Sequence, residues 1–275
     1  MLPTPTWFVG CGNMGQAIVA GWRTARIDLS NVTVIRPSGQ PVEGVRTVTS
    51  LPEAGVPPKL VVLAVKPQKL DEVVGELKPW ITGRATILSI LAGVEVVSLK
   101  RRFPGAGAIV RAMPNLPVAI RRGVTALYSA DADEALKTQI GDLFVALGWA
   151  MWTVDEARLA AIGAVAGAGP AYAARFIAAL AKAGEARGLS QEIAATIALE
   201  TVLGTAWMAA TDSETMDSVV KRVASPNGTT EAGLAVLDQA LDDLIGVTIE
   251  AAARRGGELA EEAKAGSLAE SAHLS

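Results

Sequence analysis

The sequence predicts an α/β fold, a doubly wound parallel sheet followed by an all-helical domain, and three observations carry that reading. A short apolar strand around Trp7-Phe8-Val9 runs into glycines at 10, 12 and 15 and then into helix-forming residues from Gln16 to Trp22. Continuous apolar runs, of the kind that suit parallel strands covered on both faces, then alternate with helical segments. From Asp155 onward the β-branched runs give way to Ala-rich helical segments. The expected boundaries are a sheet domain at 1–154, a helical domain at 155–266 and a tail at 267–275.

The strand, glycine turn and helix start suit a dinucleotide. Glycines let the backbone approach a pyrophosphate, while unpaired helix N–H groups and the macrodipole face its charge. Gly10, Cys11, Gly12, Asn13, Met14 and Gly15 are therefore cofactor-binding candidates in a Rossmann-like arrangement. A plain tight turn is the alternative for the motif alone. Val32 to Ile35 reads as the second strand. Near its end, about 20 residues past the glycines, an acid would bind a ribose 2′-hydroxyl and an arginine would accommodate a 2′-phosphate. Arg36 and Ser38 stand there, with no acid until Glu43. The expected cofactor is NADP(H), with NAD(H) as the second nucleotide; a solvated loop charge is the other reading of Arg36.

Lys59 to Val65 reads as a buried parallel strand ended by Lys66-Pro67. Leu70 to Leu77 follows as helix, Ala85 to Leu91 as strand ending at Ala92-Gly93, Val94 to Arg102 as helix, and Ala108 to Met113 as strand ending at Pro114-Asn115. The strand ends at Lys66, Gly93 and Asn115 should line the same crevice as the glycine turn. Val124 to Tyr128, the amphipathic Glu134 to Leu147 and Trp149 to Val154 complete this half. Helices are then expected at Glu156 to Arg187 closed by Gly188, Glu192 to Ala210 capped by Ser190, Glu214 to Val223 capped by Ser213, and Glu231 to about Ala265. Their small residues allow close backbone packing, either on a second subunit or within one chain.

A formal net charge of −3 over 275 residues gives no general attraction to nucleic acid or an anionic membrane. Cys11 and His273 are each the single residue of their type, so no internal disulfide, no Cys/His metal site and no Ser-His-Asp triad can be built, and no metal is expected. Cys11 reads as a small turn residue ahead of a reactive thiol. The uncharged run Leu159 to Ala174 is too short for a membrane span and contains Pro170, so it is expected to pack helix on helix inside protein. The first residues carry no basic region and no apolar core of signal-peptide type, so no secretory leader and a cytoplasmic location are expected.

Between two helical segments lies Ala224-Ser225-Pro226-Asn227-Gly228-Thr229-Thr230-Glu231. As a bare turn, Pro226 and Gly228 bend it and Thr229 or Thr230 caps the next helix. As a site, its N–H groups and hydroxyls would hold the carboxylate of a small substrate.

Together these stretches resemble the 1-pyrroline-5-carboxylate reductase family, which carries out the last step of proline synthesis. The matching pieces are Phe8 to Ile18, Leu63 to Gln68, Ser89 to Gly93, Arg111 to Pro117, Gly167 to Tyr172 and Val223 to Leu234. The resemblance implies NAD(P)H near Gly10 to Gly15, Arg36, Ser38, Ala64, Val65, Lys66, Pro67, Ala92 and Asn115. It implies that Ser225, Pro226, Asn227, Gly228, Thr229 and Thr230 bind the imino acid. It also implies homodimers that interlock through the helical domain and assemble further into rings, a site combining the cofactor of one subunit with the loop of its partner. Three departures stand out: Asn227 where the family has a second glycine, Ala166 and Ala168 where it has serines, and Ala178 where it has an acid.

The chemistry fits a chain without an obvious general acid. Ketone reduction makes an alkoxide and needs a proton donor, whereas a protonated cyclic imine becomes a neutral amine when hydride arrives. Orientation of two rings supplies ~7 to 11 kcal/mol. Thr230 and Ser225 are the catalytic candidates, Thr230 bonding the imine nitrogen or carboxylate. A reductase of a different small cyclic imino acid is the nearest rival. A β-hydroxy-acid dehydrogenase would need a lysine early in the first long helix, where Tyr172 and Ala173 stand. A non-catalytic nucleotide sensor is the third.

Overall fold

The computed structural model describes the backbone of residues 1–273 and the side chains of residues 1–263. Two compact units emerge, Met1–Ala168 together with residues from Ala252 onward, and Gly169–Ala251.

The first unit is built on one eight-stranded sheet. Its strands are β1 (Thr6–Val9), β2 (Val32–Ile35), β3 (Arg46–Val48), β4 (Leu60–Leu63), β5 (Thr86–Ser89), β6 (Ala108–Pro114), β7 (Gly123–Tyr128) and β8 (Gly148–Trp152), in the order β3-β2-β1-β4-β5-β6-β7-β8. All pairs are parallel except β6 with β7. Val9 of β1 lies level with Ile35 on one side and Leu63 on the other. The chain thus winds outward from β1 in one direction, then crosses to β4 and winds in the other, the expected doubly wound arrangement. Its crevice lies at the carboxyl ends of β1 and β4.

Alternation along β1 divides the core. Phe8 packs with Ile18, Trp22, Val62, Leu88, Val110, Leu127 and Phe144 on one face. Trp7 and Val9 pack with Val61, Leu63, Leu77, Ile87, Leu99, Phe103 and Ile109 on the other. Both faces are buried, which is why these strands read as unbroken apolar runs. The helices over them are α1 (Asn13–Thr24), the short α2 (Leu51–Ala54), α3 (Leu70–Leu77), α4 (Val96–Arg102), α5 (Glu134–Val145) and α6 (Glu156–Ile162). Trp22 of α1 donates its indole N–H to the Leu143 carbonyl of α5 at 2.9 Å, tying the two helices on one face.

The second unit holds α7 (Gly169–Glu185), α8 (Gln191–Asp212), α9 (Met216–Val223) and α10 (Thr229–Leu237); α11 (Leu241–His273) follows. Helices α7 and α8 meet through Ala181, Ala194 and Ala198, small residues that bring the backbones close.

Several expectations are corrected. The helix expected from Glu156 to Arg187 runs as one helical stretch to Glu185 with a π turn at Gly163–Gly167, and within that turn the Ala166 carbonyl accepts from the Asn115 amide at 3.1 Å. The helix expected from Glu231 is two helices, α10 and α11, and begins at Thr229, with Gly228 and no side-chain hydrogen bond at its cap. Ser213 does not cap α9; it ends α8 in the left-handed region at φ 54°, and Thr215 accepts the cap bond from the Ser218 N–H. Ser190 does cap α8, accepting from Ile193. Leu159 to Ala174 is not packed inside the chain: Leu159 and Ala164 are buried, but Val165 is 58% exposed. The expected tail from 267 is helical backbone as far as His273, and the side chains there, His273 included, lie outside the described residues.

Candidate active site

Each nucleotide candidate from the sequence falls in the first unit, at a strand end, in the turn after it or in the first turn of α1. Gly10, directly after β1, has φ +76°, and a Cβ there would stand 2.8 Å from the Ala64 carbonyl. Only glycine allows that bend and that approach to β4. A Cβ on Gly15 would stand 3.0 Å from Cys11 Sγ and 3.5 Å from Ala64 Cβ, while a Cβ on Gly12 would meet nothing within 4 Å. The turn is therefore closed toward the sheet and open at Gly12. Helix α1 starts at Asn13 with no side-chain cap and no acid in its first turn, leaving its positive end available to an anion.

Arg36 follows β2. Its backbone N–H bonds the Val48 carbonyl at 3.0 Å, fixing the strand end. Its Nε donates to Ser38 Oγ at 3.0 Å and its Nη2 to Gln40 Oε1 at 3.2 Å, while Nη1 is buried with no hydrogen-bond partner. A buried donor left unmatched is costly. Here it stands where a 2′-phosphate belongs in such a fold, so the residues present fit NADP(H). The Cys11 thiol is pushed up to about 11, mainly by burial and against the nearby Arg36 charge. It is a neutral, small wall of the turn.

Ala64 and Val65 are half-buried after β4, Lys66 is exposed and Pro67 opens a 3₁₀ turn. Ala92 is exposed after β5. Asn115, after β6, is buried and engaged at both ends of its amide: Nδ2 donates to Ala166 and Oδ1 accepts from the Val124 N–H at 2.8 Å. Its side chain thus ties the end of β6 to β7 and to the π turn. The sequence reading missed Glu156, whose carboxylate pairs with the buried Arg111 at 2.6 Å. The available signal was Arg111 itself, a charge inside an apolar strand that demands a partner.

In the second unit Ser225-Pro226-Asn227-Gly228 makes a tight turn, with the Gly228 N–H donating to the Ser225 carbonyl at 3.0 Å. Asn227 occupies the left-handed region at φ 55°, which asparagine tolerates. Its N–H donates to Glu231 Oε2 at 2.7 Å. A Cβ on Gly228 would stand 2.5 Å from Ser225 Oγ and 2.9 Å from the Ser225 carbonyl oxygen, so a larger residue would force the turn to shift. Thr229 and Thr230 then begin α10, beside the uncapped N–H groups of its first turn. Ser225 and Thr229 are exposed and Thr230 half-buried, which leaves a hydroxyl cluster on a helix start.

The apolar surface of the second unit is extensive. Ile193, Leu203 and Trp207 of α8 are 52%, 54% and 55% exposed. The helical stretches Glu156–Glu185 and Gln191–Asp212 are long and apolar enough to cross a membrane by length and composition. Surfaces of this kind on a folded domain mark an interface.

A family model described as pyrroline-5-carboxylate reductase dimerisation matches residues 156–259, which contain both of those stretches' apolar faces, and one described as NADP oxidoreductase coenzyme F420-dependent matches residues 7–93. The pyrroline-5-carboxylate reductase of Pseudomonas aeruginosa is 36% identical over 263 residues, covering 93% of this chain and 96% of that protein. The chain belongs to the pyrroline-5-carboxylate reductase family. The Synechocystis reductase is likewise 36% identical, over 92% of this chain and 97% of its own length. Among solved structures, the Coxiella burnetii pyrroline-5-carboxylate reductase is 31% identical with a TM-score of 0.84, covering 94% of this chain and 99% of that one. The Plasmodium falciparum pyrroline carboxylate reductase, solved with NADP bound, is 26% identical with a TM-score of 0.84, covering 94% and 98%.

Proposed function

We propose that this chain reduces 1-pyrroline-5-carboxylate to L-proline and prefers NADPH to NADH. The reaction rests on the near full-length match to the Pseudomonas aeruginosa reductase. The NADPH preference rests on the unmatched Nη1 of Arg36 after β2. NADPH, when bound, supplies the hydride. The Gly10 to Gly15 turn and the start of α1 bind its pyrophosphate, Arg36 and Ser38 its 2′-phosphate, and Ala64 to Pro67, Ala92 and the strand end at Asn115 line the remainder.

The Ser225 to Thr230 loop binds the substrate. Free N–H groups at the start of α10 hold the carboxylate, and Thr230 with Ser225 keeps the proton on the ring nitrogen. No lysine or histidine is needed, because the product of hydride addition to a protonated imine is a neutral amine. The protein's work is orientation, ~7 to 11 kcal/mol of the barrier.

The enzyme is a homo-oligomer. The exposed aliphatic faces of α8 are covered by a second copy, and a ring of dimers is the further assembly we propose. We place the reaction in the cytoplasm, where a free thiol such as Cys11 stays reduced.

A substrate panel tests the reading. With NADPH, loss of the nicotinamide absorbance should show kcat/KM at least about tenfold higher for 1-pyrroline-5-carboxylate than for its six-membered homologue. The reverse order would assign the chain to another cyclic imino acid.

A further inference from the structure

The turn that leads from β5 into α4, residues 90–96, carries Ala92 and is held at several points. At its entry the Leu91 N–H donates to Ser89 Oγ at 3.3 Å. At its middle Gly93, with φ +75°, lies against the α11 backbone, where a Cβ would stand 2.9 Å from the Leu259 carbonyl carbon. At its exit the Val96 N–H, in the first turn of α4, donates to Glu156 Oε1 at 3.0 Å. The same oxygen accepts from Arg111 Nη1 at 2.6 Å.

Arg111 is 6% exposed and stands in β6 level with Ser89 of β5 and Tyr128 of β7. Glu156 comes from the first turn of α6. One carboxylate therefore joins a sheet strand to the start of α4. A carboxylate is favoured at a helix N-terminus, and the buried guanidinium fixes which way it points.

We propose that Glu156, oriented by Arg111, is a positioning residue for the reductase reaction: it fixes the Ala92-Gly93 turn and thereby the wall against which the nicotinamide rests. This rests on the reading of Ala92 as a cofactor contact. Glu156 touches no reactant and acts through the Val96 N–H.

Removing Glu156 alone would leave Arg111 buried and unpaired, so folding could fail for an unrelated reason. Two double variants avoid this. Arg111→Met/Glu156→Gln and Arg111→Met/Glu156→Leu both remove the charges, and only the first keeps an acceptor for the Val96 N–H. The readouts are the NADPH Kd by calorimetry, amide hydrogen exchange of residues 91–97 in the cofactor-free protein, and kcat.

The Leu variant should bind NADPH about 10-fold more weakly, exchange those amides at least about 10-fold faster and lose about 10- to 100-fold in kcat, while the Gln variant stays within about 3-fold of the parent. Agreement of the two variants in Kd and exchange overturns the proposal. Ala92→Trp separates it from the reading beneath it. If that substitution leaves the NADPH Kd unchanged, the turn is not a cofactor wall and both fall; if it blocks binding while the two double variants agree, only the positioning role falls.

Discussion

Replacing Arg36 by alanine should weaken NADPH far more than NADH. The guanidinium is already held by Ser38 at 3.0 Å and Gln40 at 3.2 Å, so little freedom is lost when a phosphate arrives. What the substitution removes is the bond available to Nη1, which lacks a partner. A hydrogen bond between charged groups contributes ~1.5 to 3 kcal/mol, and each 1.4 kcal/mol is tenfold, so the NADPH Kd should rise about 10- to 150-fold. NADH has no 2′-phosphate and should change by less than about 3-fold. The fold should survive, because the strand end is fixed by the Arg36 backbone N–H to Val48, which alanine keeps. Calorimetric titration with both nucleotides at two salt concentrations is the assay. Salt should weaken NADPH binding to the parent more than to Arg36→Ala, because the lost contact is an ion pair. Equal losses for the two nucleotides would refute the assignment of Arg36 to the phosphate.

Thr230→Ala should lower kcat/KM by ~1.5 to 3 kcal/mol in barrier height and leave the melting temperature unchanged, since α10 takes no side-chain cap from it; steady-state kinetics with a thermal melt checks both. The Cys11 thiol, raised to about 11 in the fold, sets an alkaline limit. Its folded-state value lies above its unfolded one, so the unfolded chain releases the proton first. Stability is then intact below about pH 9 and falls as pH rises toward 11. Denaturant titrations from pH 8 to 11 should show that fall, and Cys11→Ala should remove this component of it. Leu203→Glu, on the exposed face of α8, should shift the assembly toward monomer, read by light scattering against the parent; an unchanged mass would place the interface elsewhere.

The nucleotide half was legible because its signals are local. A glycine turn between strand and helix, and strands buried on both faces, leave marks in consecutive residues. The short β3 left almost none, since only Val48 of its three residues is buried. The helical half was less legible. The π turn at Gly163–Gly167 bonds Asn115, far away in sequence, through the Ala166 carbonyl, and nothing in an Ala/Gly-rich run signals it. The break between α10 and α11 falls at residues 238–240, which include no glycine or proline. Glu156 was unreadable as a partner because Arg111 stands on another element, and only the folded sheet brings the two together. The Ser225 to Thr230 turn was legible because Pro226 and Gly228 are local turn signals, although the cap of the helix that follows is Gly228 and not a threonine.

The central claim is that this chain delivers hydride to a carbon–nitrogen double bond without a dedicated acid. Purified protein mixed with 1-pyrroline-5-carboxylate and NADPH should consume one NADPH for each L-proline formed, with proline measured directly by chiral chromatography. Nucleotide consumed without proline, or proline absent while NADPH binds, would contradict it.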